Sequence, residues 1–164
     1  MKIQIVTDSA SDLSDEEVSS LGIQIVPLSI RFGEEELIDR IELGADEFYE
    51  RMNNSEDVPQ TAAPSPGAFK EAFEKCFSEG AETVICINIS SELSATIQAA
   101  EAGAREMSDK DIRIFDSKSV TGGLGTMVLE AAKASQNNQS ADEIIDLLEN
   151  LRSKTRVYLS LIHI

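Results

Sequence analysis

Short apolar runs alternate with longer amphipathic segments along almost the whole chain, and this alternation restricts the fold more than any other feature. Residues 3–7 and 83–89 are typical of buried strands, and residues 112–115 predict a further strand. The alanine-rich residues 93–107 predict a long helix. Strands that alternate with helices predict an α/β fold, with a mainly parallel sheet, flanking helices and right-handed crossovers.

Local signals place the remaining elements. Ser14 and Ser140 each stand three residues before a glutamate, which is the pattern of a capping box at a helix start. Pro27 should interrupt a strand over residues 22–30, because proline cannot donate to a strand ladder. Residues 31–36 read as a charged turn. Helices are predicted over 15–20, 45–52, 66–78, 121–134 and 141–152, and a final strand over 157–164.

Composition and charge exclude several classes of protein. The 164 residues suffice for one core and are marginal for two domains. A formal charge of −16 disfavours binding to nucleic acid or to anionic lipid surfaces. No segment reaches the roughly 20 apolar residues of a membrane span, and the opening strand is too short for a signal peptide. Cys76 and Cys86 lack metal-like spacing, and a buried free thiol is expected for Cys86. With neither a signal peptide nor a membrane span predicted, a reducing cytoplasm is the expected location.

Three turns rich in hydroxyl groups follow predicted strands, at residues 7–9, 90–94 and 116–119. In a parallel sheet such turns collect at the carboxyl edge, where ligands bind. They hold no cluster of Lys and Arg, so we expect an anionic or polar head group held by neutral donors at a helix start. The candidate ligand-binding residues are Thr61, Ser90, Ser91 and Ser94, with Asp8, Ser9 and Ser117 as secondary candidates. A role confined to capping and turn formation stays open.

Patterns for catalysis are sparse. Serine hydrolysis needs a nearby base, yet His163 in the tail is the one histidine, and no Gly-x-Ser-x-Gly elbow is present. No phosphate-binding glycine loop occurs, and no Cys/His set suggests zinc. Asp8, Asp12 and Asp116 could hold a hard cation, although capping roles are favoured. A magnesium-dependent enzyme using Asp8 and Asp116 stays open as an alternative, as does a regulatory module without ligand.

Five motifs, in order, resemble those of the DegV family of fatty-acid-binding proteins. They are Val6-Thr7-Asp8-Ser9-Ala10-Ser11-Asp12-Leu13, Ile25-Val26-Pro27-Leu28, Thr61-Ala62-Ala63-Pro64-Ser65-Pro66, Ile89-Ser90-Ser91-Glu92-Leu93-Ser94-Ala95-Thr96 and Phe115-Asp116-Ser117-Lys118-Ser119. The resemblance extends from Lys2 to about Leu159. It is specific because it depends on several motifs rather than on one.

The resemblance implies a long-chain fatty acid bound between an N-terminal α/β domain and a second domain. Thr61 and Ser94 would hydrogen-bond its carboxylate, while Ser90 and Ser91 would shape the loop. Such proteins are binding subunits without catalytic residues, metal or cofactor. A separate fatty acid kinase catalytic subunit converts the bound acid to an acyl phosphate for phospholipid synthesis.

This chain departs from the family pattern in three places. Ala95 stands where the family typically has glycine, and Ala62-Ala63 replace a Ser-Gln pair. Family chains also continue into a second domain that supplies a histidine, a role not assigned to His163. We therefore expect residues 1–159 to form the DegV-like N-terminal region, residues 160–164 to be an atypical tail at a truncation point, and the second domain to be absent. Such a chain should bind fatty acid weakly and expose an apolar face.

Overall fold

The computed structural model describes residues 2–55 and 57–159, and within these ranges the chain forms seven strands and six helices. The strands are β1 (Ile3–Asp8), β2 (Gln24–Val26), β3 (Ser29–Phe32), β4 (Glu35–Ile38), β5 (Gln60–Ala62), β6 (Thr83–Asn88) and β7 (Asp111–Asp116). The helices are α1 (Asp15–Leu21), α2 (Ala45–Asn54), α3 (Pro66–Ser78), α4 (Thr96–Arg105), α5 (Thr121–Gln136) and α6 (Ala141–Lys154).

The main sheet is parallel, with strand order β2-β1-β6-β7. Every residue of β6 is buried, and successive side chains point to opposite faces of the sheet. Ile85 and Ile87 belong to one core with residues of α5 and α6, whereas Val84 and Cys86 belong to a second core with residues of α3. Helices therefore cover both faces, and the predicted α/β fold with a mainly parallel sheet is confirmed.

A second, smaller sheet is antiparallel, with strand order β4-β3-β5. The segment predicted as one interrupted strand over 22–30 is divided at Pro27: β2 joins the main sheet and β3 joins the small one. The turn was predicted over residues 31–36, and this length is wrong: only Gly33 and Glu34 form the turn, and the residues on either side pair in the β3–β4 hairpin. Gly33 has a φ of +59°, a backbone conformation that glycine adopts without strain. Strand β5, which carries Thr61, was not predicted.

Most predicted helices are confirmed, with ends shifted by a few residues. Both capping boxes form, at Ser14 and at Ser140, and Ser65 caps α3. The helix predicted from residue 93 begins only at Thr96. The carbonyl of Ser90 accepts from the backbone N–H groups of Leu93 (3.0 Å) and Ser94 (3.1 Å), and this turn displaces the helix start.

The final strand predicted over 157–164 is not formed over residues 157–159, and residues 160–164 lie outside the described residues. The side chains of Val157, Tyr158 and Leu159 are exposed, so they bury no surface against a neighbouring strand. None of the helices within the described ranges is both long and apolar enough to cross a bilayer.

Candidate functional site

The ends of three neighbouring parallel strands meet at one edge of the main sheet, and Asp8 ties two of them together. Its Oδ2 accepts from the Asn88 side-chain amide (3.1 Å) and from the Ile89 backbone N–H (2.8 Å), while Oδ1 accepts from the Ala10 N–H (3.1 Å). Burial raises the pKa of Asp8 in spite of these hydrogen bonds. Both carboxylate oxygens therefore face protein donors, and Asp8 organises the edge of the sheet.

The other two secondary candidates are also buried and bonded within the protein. Ser9 Oγ accepts from the Leu28 N–H (3.0 Å), which joins the turn after β1 to the segment between β2 and β3. Ser117 Oγ accepts from the Ser119 N–H (3.1 Å) and donates to the Ser119 carbonyl (3.2 Å). The contacts of Ser9 and Ser117 hold loops in place.

The loop after β6 carries three of the predicted site residues, and Ser90 anchors it. Ser90 is buried, and its N–H donates to the Ser119 carbonyl (2.9 Å) on the loop after β7. Its Oγ accepts from the Glu92 N–H (3.2 Å). Ser90 thus fixes the loop from within, close to the segment that follows β7.

Ser91 belongs to a polar network around Lys118. Its backbone N–H donates to Asp116 Oδ1 (3.2 Å), and its Oγ accepts from Lys118 Nζ (3.0 Å). Lys118 also pairs with Asp116 (3.1 Å) and Glu92 (3.2 Å). Burial alone would raise the pKa of Asp116, but hydrogen bonds from Ser91 and Lys118 outweigh it and lower that pKa. The charge of Lys118 is therefore already matched by two carboxylates.

Ser94 lies two residues before the first residue of α4 and is half-buried. Its Oγ is 2.9 Å from Thr96 Oγ1 and accepts from the Thr96 N–H at 3.3 Å. The N-cap residue of α4, Ala95, offers no side-chain hydrogen bond, and the first turn holds no acidic residue, so the amino terminus of α4 favours a negative charge nearby. Ala95 has φ −77° and ψ 5°, which alanine adopts without strain, so the loop does not need the glycine typical of the family.

Thr61 lies on the small sheet, where it pairs with Ile30 of β3 and is exposed. It lines a small cavity of about 140 Å³ together with Ser29, Arg31 and Glu36. The structure brings Ser90, Ser91 and Ser94 together on one loop. No hydrogen bond within residues 2–55 and 57–159 joins Thr61 to that loop.

Two polar residues of this edge were missed by sequence reasoning. Asn88 ends β6 and is fully buried, and an amide that directly follows the apolar residues 84–87 is a sequence signal that could have found it. Thr96 stands two residues after Ser94 and was counted only as part of a motif. Within the described ranges, no three His, Cys, Asp or Glu side chains are grouped so that they could hold a metal ion.

Comparison with known proteins identifies the family. A family model described as "Uncharacterised protein, DegV family" matches residues 2–163. The chain belongs to the DegV family. A DegV domain-containing protein of Halalkalibacterium halodurans is 36% identical over 154 residues, which cover 94% of this chain and 54% of that protein. This DegV chain spans about half the length of the curated relatives it matches.

Solved DegV structures share the fold. A DegV family protein from Thermus thermophilus, described by its fatty acid binding, superposes with a TM-score of 0.86 at 32% identity, covering 93% of this chain and 54% of that one. DegV from Bacillus subtilis, described as a fatty acid binding protein, superposes with a TM-score of 0.85 at 30% identity, with the same coverage. The DegV fold predicted from the five motifs is confirmed.

Proposed function

We propose that this protein binds a long-chain fatty acid by its carboxylate and presents it to a separate kinase subunit, which forms the acyl phosphate. Membership of the DegV family supports the binding role, since the Thermus thermophilus and Bacillus subtilis relatives are fatty-acid-binding proteins. In this proposal the protein is a lipid-binding subunit and not itself an enzyme. The observation that carries the proposal is the Ser94 hydroxyl beside the amino terminus of α4, whose N-cap residue Ala95 offers no side-chain hydrogen bond.

The hydrogen bonds of the loop separate its serines into two roles. A carboxylate needs donors, and the best positions combine a hydroxyl with the amino terminus of a helix. Ser90 is buried and Ser91 is engaged by Lys118 and Asp116, so neither offers a hydroxyl to a ligand. Ser94 is half-buried beside the first turn of α4. We assign Ser94 to the carboxylate, and Ser90 and Ser91 to the shape of the loop.

Thr61 is the second residue proposed to bind the carboxylate. The resemblance to the family carries this assignment, and the exposure of Thr61 on β5 is compatible with it. Its neighbours Ala62 and Ala63 are small, so space remains beside the hydroxyl. Because Thr61 and Ser94 lie on different sheets, a ligand that contacts both would bridge the two sheets.

The kinase partner is also inferred from the family. The chain carries a formal charge of −16, so the complementary surface of a partner protein should be basic. The magnesium-dependent alternative gains nothing from the geometry, because Asp8 is enclosed by the donors Asn88, Ile89 and Ala10.

The binding proposal is tested by native mass spectrometry with lipid extraction. The protein is expressed from the complete open reading frame that contains this sequence, as wild type and as the Thr61→Ala/Ser94→Ala double variant. We expect a copurifying fatty acid in the wild type and its loss in the double variant. Ser78→Ala is the matched control, because Ser78 is exposed at the end of α3 and bonds only the Lys75 carbonyl within the described chain. A wild-type protein that carries no fatty acid and takes up no added oleate would refute the proposal.

A further inference from the structure

Thr96 is a buried polar residue behind the proposed ligand residue Ser94. It is the first residue of α4 and has no exposed surface. Its Oγ1 lies 2.9 Å from Ser94 Oγ, and it makes no other hydrogen bond among the described residues. The Thr96 backbone N–H also donates to Ser94 Oγ, at 3.3 Å. Thr96 therefore contacts the same oxygen atom twice.

The burial of Thr96 decides the direction of the hydroxyl–hydroxyl bond. Each hydroxyl has one hydrogen, and only one of the two can lie between the oxygens. If Ser94 donated, the Thr96 hydrogen would be buried without an acceptor, which is unfavourable. If Thr96 donates, its hydrogen is satisfied and the Ser94 hydrogen is free at the half-buried side of the loop. The second arrangement leaves no buried hydrogen of this pair unpaired.

We infer that Thr96 is a positioning residue that makes Ser94 a donor only, and so selects a ligand whose head group is a strong acceptor. This inference rests on the proposed function. Ser94 Oγ accepts from the Thr96 hydroxyl and from the Thr96 N–H, so both of its lone pairs are occupied. Its one remaining capacity is to donate. An ionised carboxylate accepts such a bond with about twice the strength of a neutral oxygen.

The arrangement predicts discrimination between head groups on the same acyl chain. A fatty alcohol carries a neutral oxygen, so it gains less than a carboxylate from a donor-only Ser94. Removing the Thr96 hydroxyl frees a lone pair on Ser94, which lets Ser94 accept from an alcohol as well as donate. The preference for the acid over the alcohol should then fall, whereas a general loosening of the loop would weaken both ligands alike.

The test compares oleate with oleyl alcohol on the protein expressed from its complete open reading frame. Thr96→Val keeps the shape of the side chain and removes the hydroxyl, and Thr96→Ser restores the hydroxyl. We expect Thr96→Val to lower the ratio of oleate affinity to oleyl alcohol affinity about fivefold, the scale of the one neutral hydrogen bond that the freed lone pair of Ser94 can accept from the alcohol. Thr96→Ser should bind both ligands like the wild type. In a Ser94→Ala background, Thr96→Val should have no further effect on oleate.

Each outcome bears on a different claim. Equal weakening of both ligands by Thr96→Val, or an undiminished effect in the Ser94→Ala background, overturns the positioning role and leaves the binding function standing. A wild-type protein that binds no oleate overturns both. Thermal unfolding of every variant shows whether it is folded. If Thr96→Val does not fold, Thr96→Ala removes the same hydroxyl with a residue of high helix propensity and is read by the same criteria.

Discussion

The two sheets of this protein differ in how firmly their residues are held. All six residues of β6, in the parallel sheet, are buried between helices on both faces. All three residues of β5, in the antiparallel sheet, are exposed. Ser94 follows the first of these strands and Thr61 lies on the second. Ser94 and Thr61, the two residues proposed to bind the carboxylate, therefore lie in regions whose local unfolding should require different free energies.

Polar contacts tie the smaller sheet and the segments beside it to the rest of the molecule, and the buried side chains of Leu28, Phe32 and Leu43 belong to neither core of the main sheet. Arg40 pairs with Asp15 and donates to the Leu13 carbonyl, and Ser9 accepts from the Leu28 N–H. The rings of Phe32 and Phe48 are 5.9 Å apart, and Phe48 is only half-buried. We expect these contacts to hold the strand of Thr61 more weakly than the two hydrophobic cores of the main sheet hold β6, which leads to Ser94.

The largest predicted effect comes from truncating a side chain in the core of the parallel sheet. Phe73 of α3 is fully buried, and its ring centroid lies 6.0 Å from that of Phe69. We expect Phe73→Ala to lower the free energy of unfolding by about 3–5 kcal/mol, because the cavity cannot close. Urea denaturation followed by far-UV circular dichroism measures the loss.

The matched substitution lies beside the small sheet. Phe48→Ala removes an equal number of atoms from α2, where the ring is only half-buried. We expect it to cost at most about half as much as Phe73→Ala. Equal losses for the two variants would mean that both regions unfold as one tightly packed unit, and the contrast between them would be wrong.

The same contrast explains how much of the fold could be predicted from the sequence. The buried strands have continuous apolar runs, and α3 carries Phe69 and Phe73 one turn apart, so the period of each element is visible in its residues. Strand β4 begins with Glu35 and Glu36 and has one half-buried residue, which gives it no apolar period to detect. Strand β5 is three exposed residues long.

The residues of the candidate site likewise differ in how far the sequence could predict their position. Because parallel strands end at one edge, their order along the chain was enough to predict that Ser90, Ser91 and the loop of Asp116 would lie together. The place of Thr61 depends on the antiparallel pairing with Ile30, which no sequence period indicates. The relation of Thr96 to Ser94 depends on complete burial of Thr96, a property of the packed structure.

A smaller effect is expected at the hydrogen bond between Ser9 and Leu28, which joins the main sheet to the segment that leads into the small sheet. Ser9→Ala leaves the buried Leu28 N–H without its acceptor, which should cost about 1–3 kcal/mol. Because Leu28 directly precedes β3, we expect amide hydrogen exchange to accelerate in β3 and β5 and to change little in β6. Ser19→Ala is the control, since Ser19 is exposed and its hydroxyl bonds the Glu16 carbonyl within α1. Uniform acceleration across both sheets would show that Ser9 supports the whole fold and not the junction.

The smallest predicted effect is a dependence on acidity at the edge that carries Ser94. The pKa of Asp116 is lowered from 3.8 in the folded protein, because hydrogen bonds from Ser91 and Lys118 outweigh the effect of burial. A lowered pKa stabilises the folded state at pH values above the pKa of Asp116 in the unfolded chain, and this contribution disappears as the pH falls through its pKa in the folded protein.

Asp116→Asn should therefore reduce the loss of stability on acidification below about pH 4. Measuring the urea midpoint from about pH 5 to pH 2 tests this, with the exposed Asp146→Asn as control. Because Asp116 holds the N–H of Ser91, acid should loosen the loop of Ser94 while Thr61 on β5 is unaffected. If Asp116→Asn and Asp146→Asn change the urea midpoint at low pH by the same amount, the effect is one of overall charge. The network around Lys118 would then not stabilise this edge of the sheet.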